Sequence, residues 1–126
     1  MENFKVEVHN TINVTAEDID DIMCGALEGG ITYWCGKAKV VGEPLGDYAS
    51  EQISRGGTLL LFDIESDEVY ELNREKLLNG IGIAYGNGMF SDYEWCNGYE
   101  LDCCNVDAGV ADCIVQCALF GDIVYG

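Results

Sequence analysis

Seven cysteines, at positions 24, 35, 96, 103, 104, 113 and 117, are the most reactive side chains in this sequence. A thiolate can ligate zinc or attack an electrophile, but either role needs partners at a defined spacing. Structural zinc sites typically pair their cysteines in C-x2-C units, and no such unit occurs. Cys113 and Cys117 fall one helical turn apart among positions that read as core, where free cysteine behaves as a small buried hydrophobe. Nucleophilic catalysis lacks a base, because the sole histidine, His9, falls on the polar face of a strand pattern. No nucleophile elbow is present, and no pair stands out among the 23 acidic residues for general acid–base work. The sequence therefore reads as non-enzymatic, with no catalytic residue, no metal site and no cofactor.

Phosphate cradles are also missing. Gly80-Ile-Gly82 and Gly86-Asn-Gly88 lie within or after a helix pattern, whereas dinucleotide loops join a strand to a helix. Ser54-Arg55-Gly56-Gly57 offers a cation beside two flexible glycines. Arg55 could contact an anion there, a homo-oligomer could gather several copies, and Tyr33 and Trp34 could line the pocket. The plainer reading is a helix end with a solvated arginine. A second candidate is the run containing Asp92, Tyr93, Glu94, Trp95, Tyr99, Glu100 and Asp102. Carboxylates interleaved with aromatic anchors suit a basic protein groove that normally holds nucleic acid. Its plainer reading is a solvated loop whose aromatics fold back onto the core.

Charge favours the protein partner. Six Lys+Arg against 23 Asp+Glu give −17, and no cation occurs between Val6 and Gly36 or from Leu77 to Gly126. Such a field repels nucleic acid and membrane phosphates and attracts basic protein surfaces. The 48% hydrophobic content with 23% charged residues is that of a globular chain, and 126 residues suit one domain spanning 1–126. No stretch approaches the roughly 20 apolar residues of a membrane span, and Met1-Glu-Asn-Phe-Lys5 lacks a signal peptide's apolar region. The expected compartment is the cytoplasm, where thiols stay mostly reduced. An odd number of cysteines also precludes complete intramolecular pairing.

These candidates need a scaffold. Phe4 to Val14 alternates apolar and polar residues, which predicts a half-buried strand. Thr15 caps a helix whose Ile19, Ile22, Met23, Ala26 and Leu27 face the core, with Gly29 as left-handed terminator. Burying Leu27, Ile31, Tyr33 and Trp34 is worth roughly 1.5–3 kcal/mol each, so the chain should fold around Ala26–Cys35. The conformation of 31–41 stays open between strand and helix. Asp47 to Ser54 predicts a short helix capped by Asp47. Thr58–Asp63 and Glu68–Leu72 form a hairpin through Glu65-Ser-Asp67. Asn73 caps a helix with Leu77, Leu78 and Ile81 inward, weakened by roughly 1 kcal/mol each at Gly80 and Gly82 and ended by Asn87-Gly88. Met89 to Val106 is irregular. Asp107 caps a last helix with Val110, Cys113, Ile114, Cys117 and Ala118 on one face, Gly121 ends it, and 122–125 returns as a strand. The sum is a single α+β domain, with an antiparallel sheet of about four or five strands packed by about three helices.

Asp18-Ile-Asp-Asp-Ile-Met23, Ala26-Leu-Glu-Gly-Gly-Ile-Thr-Tyr-Trp-Cys35, Tyr48-Ala-Ser-Glu-Gln-Ile-Ser-Arg-Gly-Gly57 and Ala111-Asp-Cys-Ile-Val-Gln-Cys-Ala-Leu-Phe-Gly121 resemble a family of small acidic proteins. These are encoded by phages, prophages and mobile elements of gut bacteria. The family has no assigned activity, so the resemblance transfers no functional residue, and the cysteine-rich last third departs from its pattern. It implies a setting of infection or prophage maintenance, in which inhibitors of host defence are common. With the charge, it leads to a stoichiometric inhibitor of a defence nuclease, of anti-CRISPR or anti-restriction type. Such a protein would act in the host cytoplasm on a partner with a basic surface. The alternatives are a ligand-binding protein that sequesters a nucleotide immune signal and a small assembly or regulatory protein of the element.

Overall fold

The computed structural model describes residues 2–4, 6, 11–86, 96–97, 100–101 and 106–126. Helix α1 spans Ala16–Gly25 and opens on the expected cap: Thr15 Oγ1 accepts from the Asp18 amide at 3.1 Å, and Asp18 accepts from the Thr15 amide at 2.9 Å. Its Ile19, Ile22 and Met23 are buried. The helical run ends within the expected glycine pair, at Gly30, but not through a left-handed Gly29: α1 continues as a π-turn over Ala26–Gly30, closed by the Ile31 amide on the Ala26 carbonyl at 3.0 Å, and Gly29 keeps a negative φ. Gly30 is the residue that matters, because a Cβ there would collide with the Ala108 carbonyl.

The open stretch at 31–41 resolves as a turn at 31–34 followed by strand β1, Cys35–Val40. Strands β2 (Thr58–Asp63) and β3 (Val69–Asn73) form the expected hairpin, pairing Thr58 with Asn73 through Phe62 with Val69. β1 pairs antiparallel on the other side of β2, and the register slips at Gly36, between Cys35↔Asp63 and Lys37↔Phe62. That bulge carries the chain so that the Trp34 carbonyl accepts from the Ile64 amide at 2.9 Å. Leu59, Leu61 and Leu72 point into the core, while Lys37 and Lys39 stand on the outer face, Lys37 over the Phe62 ring.

Helix α2 is Arg74–Gly86, capped by Asn73 Oδ1 on the Lys76 amide, and helix α3 is Ala108–Phe120, capped by Asp107 Oδ1 on the Val110 amide. Gly121 ends α3 at φ 75°. Gly80 is not merely a weak point in α2. A Cβ there would lie 2.6 Å from the Ile114 carbonyl oxygen and 2.7 Å from Ala118, so the missing side chain lets α2 pack close on α3. A short ladder of β4 (Cys96–Asn97) with β5 (Glu100–Leu101) completes the described elements.

Among the described residues the α+β class and three α-helices match expectation, but the main sheet has three strands and not four or five. Phe4 and Val6 are 83% and 82% exposed, and no strand forms over residues 2–4, 6, 11 and 12. Alternation is a half-buried surface in search of a partner, and among the described residues of this stretch Asn13 finds one, its carbonyl accepting from the Leu101 amide. His9 and Asn87-Gly88 lie outside the described residues. Leu78 is exposed, since α2 buries Leu77 and Ile81 instead. Asp47 caps nothing. Only a 3-10 turn, Ala49–Glu51, forms there, and Glu51 Oε1 accepts from the Asp47 and Tyr48 amides. Residues 122–125 do not form a strand: Gln116 Oε1 on α3 accepts from the Val124 and Tyr125 amides, and Asp122 Oδ1 from that of Ile123.

Candidate functional site

The site begins on α3. Asp112 and Gln116 stand one turn apart on this largely apolar helix, with exposures of 7% and 0%. Buried polar groups persist only when hydrogen-bonded, and here both are fully engaged. Asp112 Oδ1 accepts from Trp34 Nε1 at 2.8 Å and from Gln116 Nε2 at 2.9 Å, and its Oδ2 accepts from the Tyr33 hydroxyl at 2.7 Å. Gln116 Oε1 accepts from the amides of Val124 and Tyr125, both at 2.8 Å. One carboxylate thus orients two aromatic side chains, and one amide folds the segment after α3 back over them.

Tyr125 is the result of that fold-back. Its ring stacks on Trp34 with centroids 4.8 Å apart and planes 1° off parallel, while Phe120 and Tyr70 meet Trp34 edge-on. Its hydroxyl donates to Asp63 Oδ2 at 2.6 Å and lies 2.8 Å from the Tyr70 hydroxyl. Asp63 Oδ1 takes the Glu65 amide at 2.8 Å. Helix α3, the 31–34 turn and the β2–β3 hairpin are thereby joined around one aromatic stack.

Beside the stack lies a cleft of about 440 Å³ lined by Tyr33, Trp34, Asp63, Ile64, Glu65, Tyr125 and Gly126. Its electrostatics are one-sided. The hydrogen bond from Tyr125 and the Glu65 amide hold the Asp63 carboxyl below its usual range. The same bond to Asp63, with that to Tyr70, pushes the Tyr125 phenol up. Desolvation first, then the bond to Asp112, pushes Tyr33 up to about 12. Both phenols therefore stay neutral donors through the physiological range. The cleft presents carboxylate charge and aromatic surface, with no Lys, Arg or His among the described residues of its lining.

Of the residues singled out in the sequence, Tyr33 and Trp34 line this cleft, Tyr33 at 51% exposure and Trp34 at 2%. Arg55 does not join them. It pairs with Glu51 at 3.5 Å on the exposed turn before β2. Asp92, Tyr93, Glu94, Trp95, Tyr99 and Asp102 lie outside the described residues, and Glu100 is described only by its backbone pairing in β5. Cys35 and Cys117 are buried and Cys113 is half-buried, its thiol pushed up to about 11 by burial and then by Asp112. Among the described residues no group of three His, Cys, Asp or Glu side chains gathers as a metal site, and no helix is long and apolar enough to cross a membrane.

Sequence reading missed Asp112, Gln116, Asp63, Glu65 and Tyr125. A signal for the first two existed: two polar residues four apart inside Val110–Phe120, where almost every neighbour is apolar. Such a pair is either solvent-facing or a buried network, and the breadth of the apolar surface favours the second. Comparisons with protein-family models, curated proteins and solved structures return no match to this chain.

Proposed function

We propose that this chain is a non-enzymatic, stoichiometric inhibitor of a bacterial defence protein, encoded by a phage or mobile element and acting in the host cytoplasm. It competes for a basic nucleic-acid-binding surface by presenting carboxylates, in the manner of anti-CRISPR or anti-restriction proteins. The observation that carries this reading is uncompensated exposed acid. Glu17, Asp21 and Glu28 on the first helix, and Glu65, Asp67 and Glu68 on the hairpin tip, all face solvent. Between described residues one ion pair forms, Arg55 with Glu51. Against a total of −17, an acidic field of this kind steers basic surfaces at long range.

The cleft supports the same reading locally. It sets aromatic faces beside carboxylates, the chemistry expected of an anchor for a basic partner. Sequestering a nucleotide would need cations facing the phosphates, and Arg55 lies away from Tyr33 and Trp34. The test is to mix the protein with purified defence nucleases and measure complex formation at roughly 50 and 300 mM salt, where screening lengths differ about two- to threefold around 10 Å. Capture of one nuclease, weakened at high salt and competed by its nucleic acid, is the expected result. Binding to none of them, or an affinity indifferent to salt, would sink the electrostatic mechanism.

A further inference from the structure

We propose that the cleft beside Tyr33 and Trp34 is a binding site for an organic cation of the alkylguanidinium or alkylammonium class, the head and stem of an arginine or lysine side chain. Charge selects the ligand's sign. Among the described residues the lining holds Asp63 and Glu65 and no cationic side chain. Asp63 stays ionised because Tyr125 and the Glu65 amide donate to it, so its negative charge persists well into the acidic range.

Shape and polarity select the ligand's form. A bare metal ion wants about six or more oxygens, whereas the described wall supplies two carboxylates, Asp63 and Glu65, beside the ring and aliphatic surface of Tyr33, Trp34, Ile64 and Tyr125. Ile64, 55% exposed, offers apolar surface to an aliphatic stem. Tyr33, half exposed although its hydroxyl is tied to Asp112, and Tyr125 offer ring surface to a planar guanidinium. A volume of about 440 Å³ admits such a group together with several methylenes.

The walls are also set before any ligand arrives. Trp34 Nε1, the Tyr33 hydroxyl and the Tyr125 hydroxyl each donate to a carboxylate, so none of the three rings must be ordered on binding. These bonds also rule out the anionic alternative. Two phenols whose donors already point at Asp112 and Asp63 have none left for a phosphate.

Such a cation reaches the cleft either as a side chain on a partner protein or as a free small molecule. In the first form the site rests on the proposed competition for a basic partner. In the second it stands without it. The test is therefore made on the full chain with no defence protein present. Agmatine and a short blocked arginine peptide are titrated while the Trp34 indole N–H and the Ile64 and Glu65 amides are followed by NMR, with adenosine monophosphate and equal ionic strength of sodium chloride as controls. The expected result is saturable shifts at these three signals, with a dissociation constant on the order of 1 mM. Glu65→Gln, on an exposed turn, should weaken binding about three- to fivefold without changing the fold. Asp63→Asn should weaken it as well. Response to the peptide alone, or stronger for the peptide, identifies the partner side chain as the source, and response to agmatine alone identifies a free cation. No saturable shift with either, equal shifts with the nucleotide, or unaltered binding in Glu65→Gln would overturn the proposal. If agmatine binds and no defence protein is captured, the proposed function fails while the site stands.

Discussion

Two contacts of α3 hold the molecule together in opposite ways. Toward α2 the contact is made by shape. Gly80 has no side chain, and the backbone of Ile114 and the methyl of Ala118 occupy the space a Cβ would need. Toward the 31–34 turn the contact is made by direction. Asp112 and Gln116 spend their polar atoms on Tyr33, Trp34 and the segment from Val124 to Tyr125. A shape contact tolerates any chemistry of the right volume, whereas a directed one fails when a donor loses its acceptor, even at constant volume. The difference teaches where to look for function. The seam with α2 is closed, but the polar corner orients aromatic rings toward an open cleft.

The largest effect should come from breaking the shape contact. Gly80→Val inserts three carbons where backbone already stands, and a loss of about 3 kcal/mol or more is expected, read as a lower urea midpoint. Asp112→Ala should follow at about 2–3 kcal/mol, because it leaves the buried Trp34 N–H without an acceptor. It should also shift the Trp34 indole resonance upfield, a readout the Gly80 variant would move far less. Tyr125→Phe keeps the ring stack and removes only the hydroxyl, so about 1 kcal/mol is expected in the same melt. Smallest of all is Glu65→Gln, within about 0.5 kcal/mol of wild type in stability, since it changes the charge of the cleft and not its walls.

Alkali sharpens the same contrast. Tyr33 titrates at about 12 in the folded chain against 10 when unfolded, and Tyr125 is raised as well. Raised phenols mean that the folded state keeps protons the unfolded state loses. The phenols' contribution to stability should therefore be level below pH 10 and fall from there through about 12, beyond an earlier decline from about pH 9 due to the raised Cys113 thiol, as followed by urea midpoints across that range. Asp63 has the opposite sign. Its depressed value contributes stability above the ordinary carboxylate range, and that part is lost on acidification. In Tyr125→Phe both the alkaline decline and the acid contribution of Asp63 should shrink, and the seam of α2 with α3 should be indifferent to both.

What the sequence disclosed follows the same division. Thr15, Asn73 and Asp107 were legible as caps because capping is local, settled within three residues. The hairpin was legible because both strands and their turn are contiguous. The described part of Phe4 to Val14 departs from a strand because a strand's partner is not written in its own alternation, and residues 5 and 7–10 lie outside the described residues. Gly80 read as a weakness because its benefit lies on another helix. Tyr33 and Trp34 were picked out by size and company, but their acceptor lies some 80 residues on, with separations of 79 and 78 in sequence. Residues 122–125 were expected as a final strand and form none, because the Tyr125 amide donates to Gln116 instead of to a ladder.

The most direct test of the charge-based inhibition proposed for this chain is the dependence of its affinity for a captured defence nuclease on salt, measured for wild type and for a variant neutralised at Glu65, Asp67 and Glu68. Competition through an acidic surface requires the dissociation constant to rise steadily with salt, and the neutralised variant to bind more weakly with a shallower slope. A flat salt profile, or an unchanged slope in the neutralised variant, would contradict it.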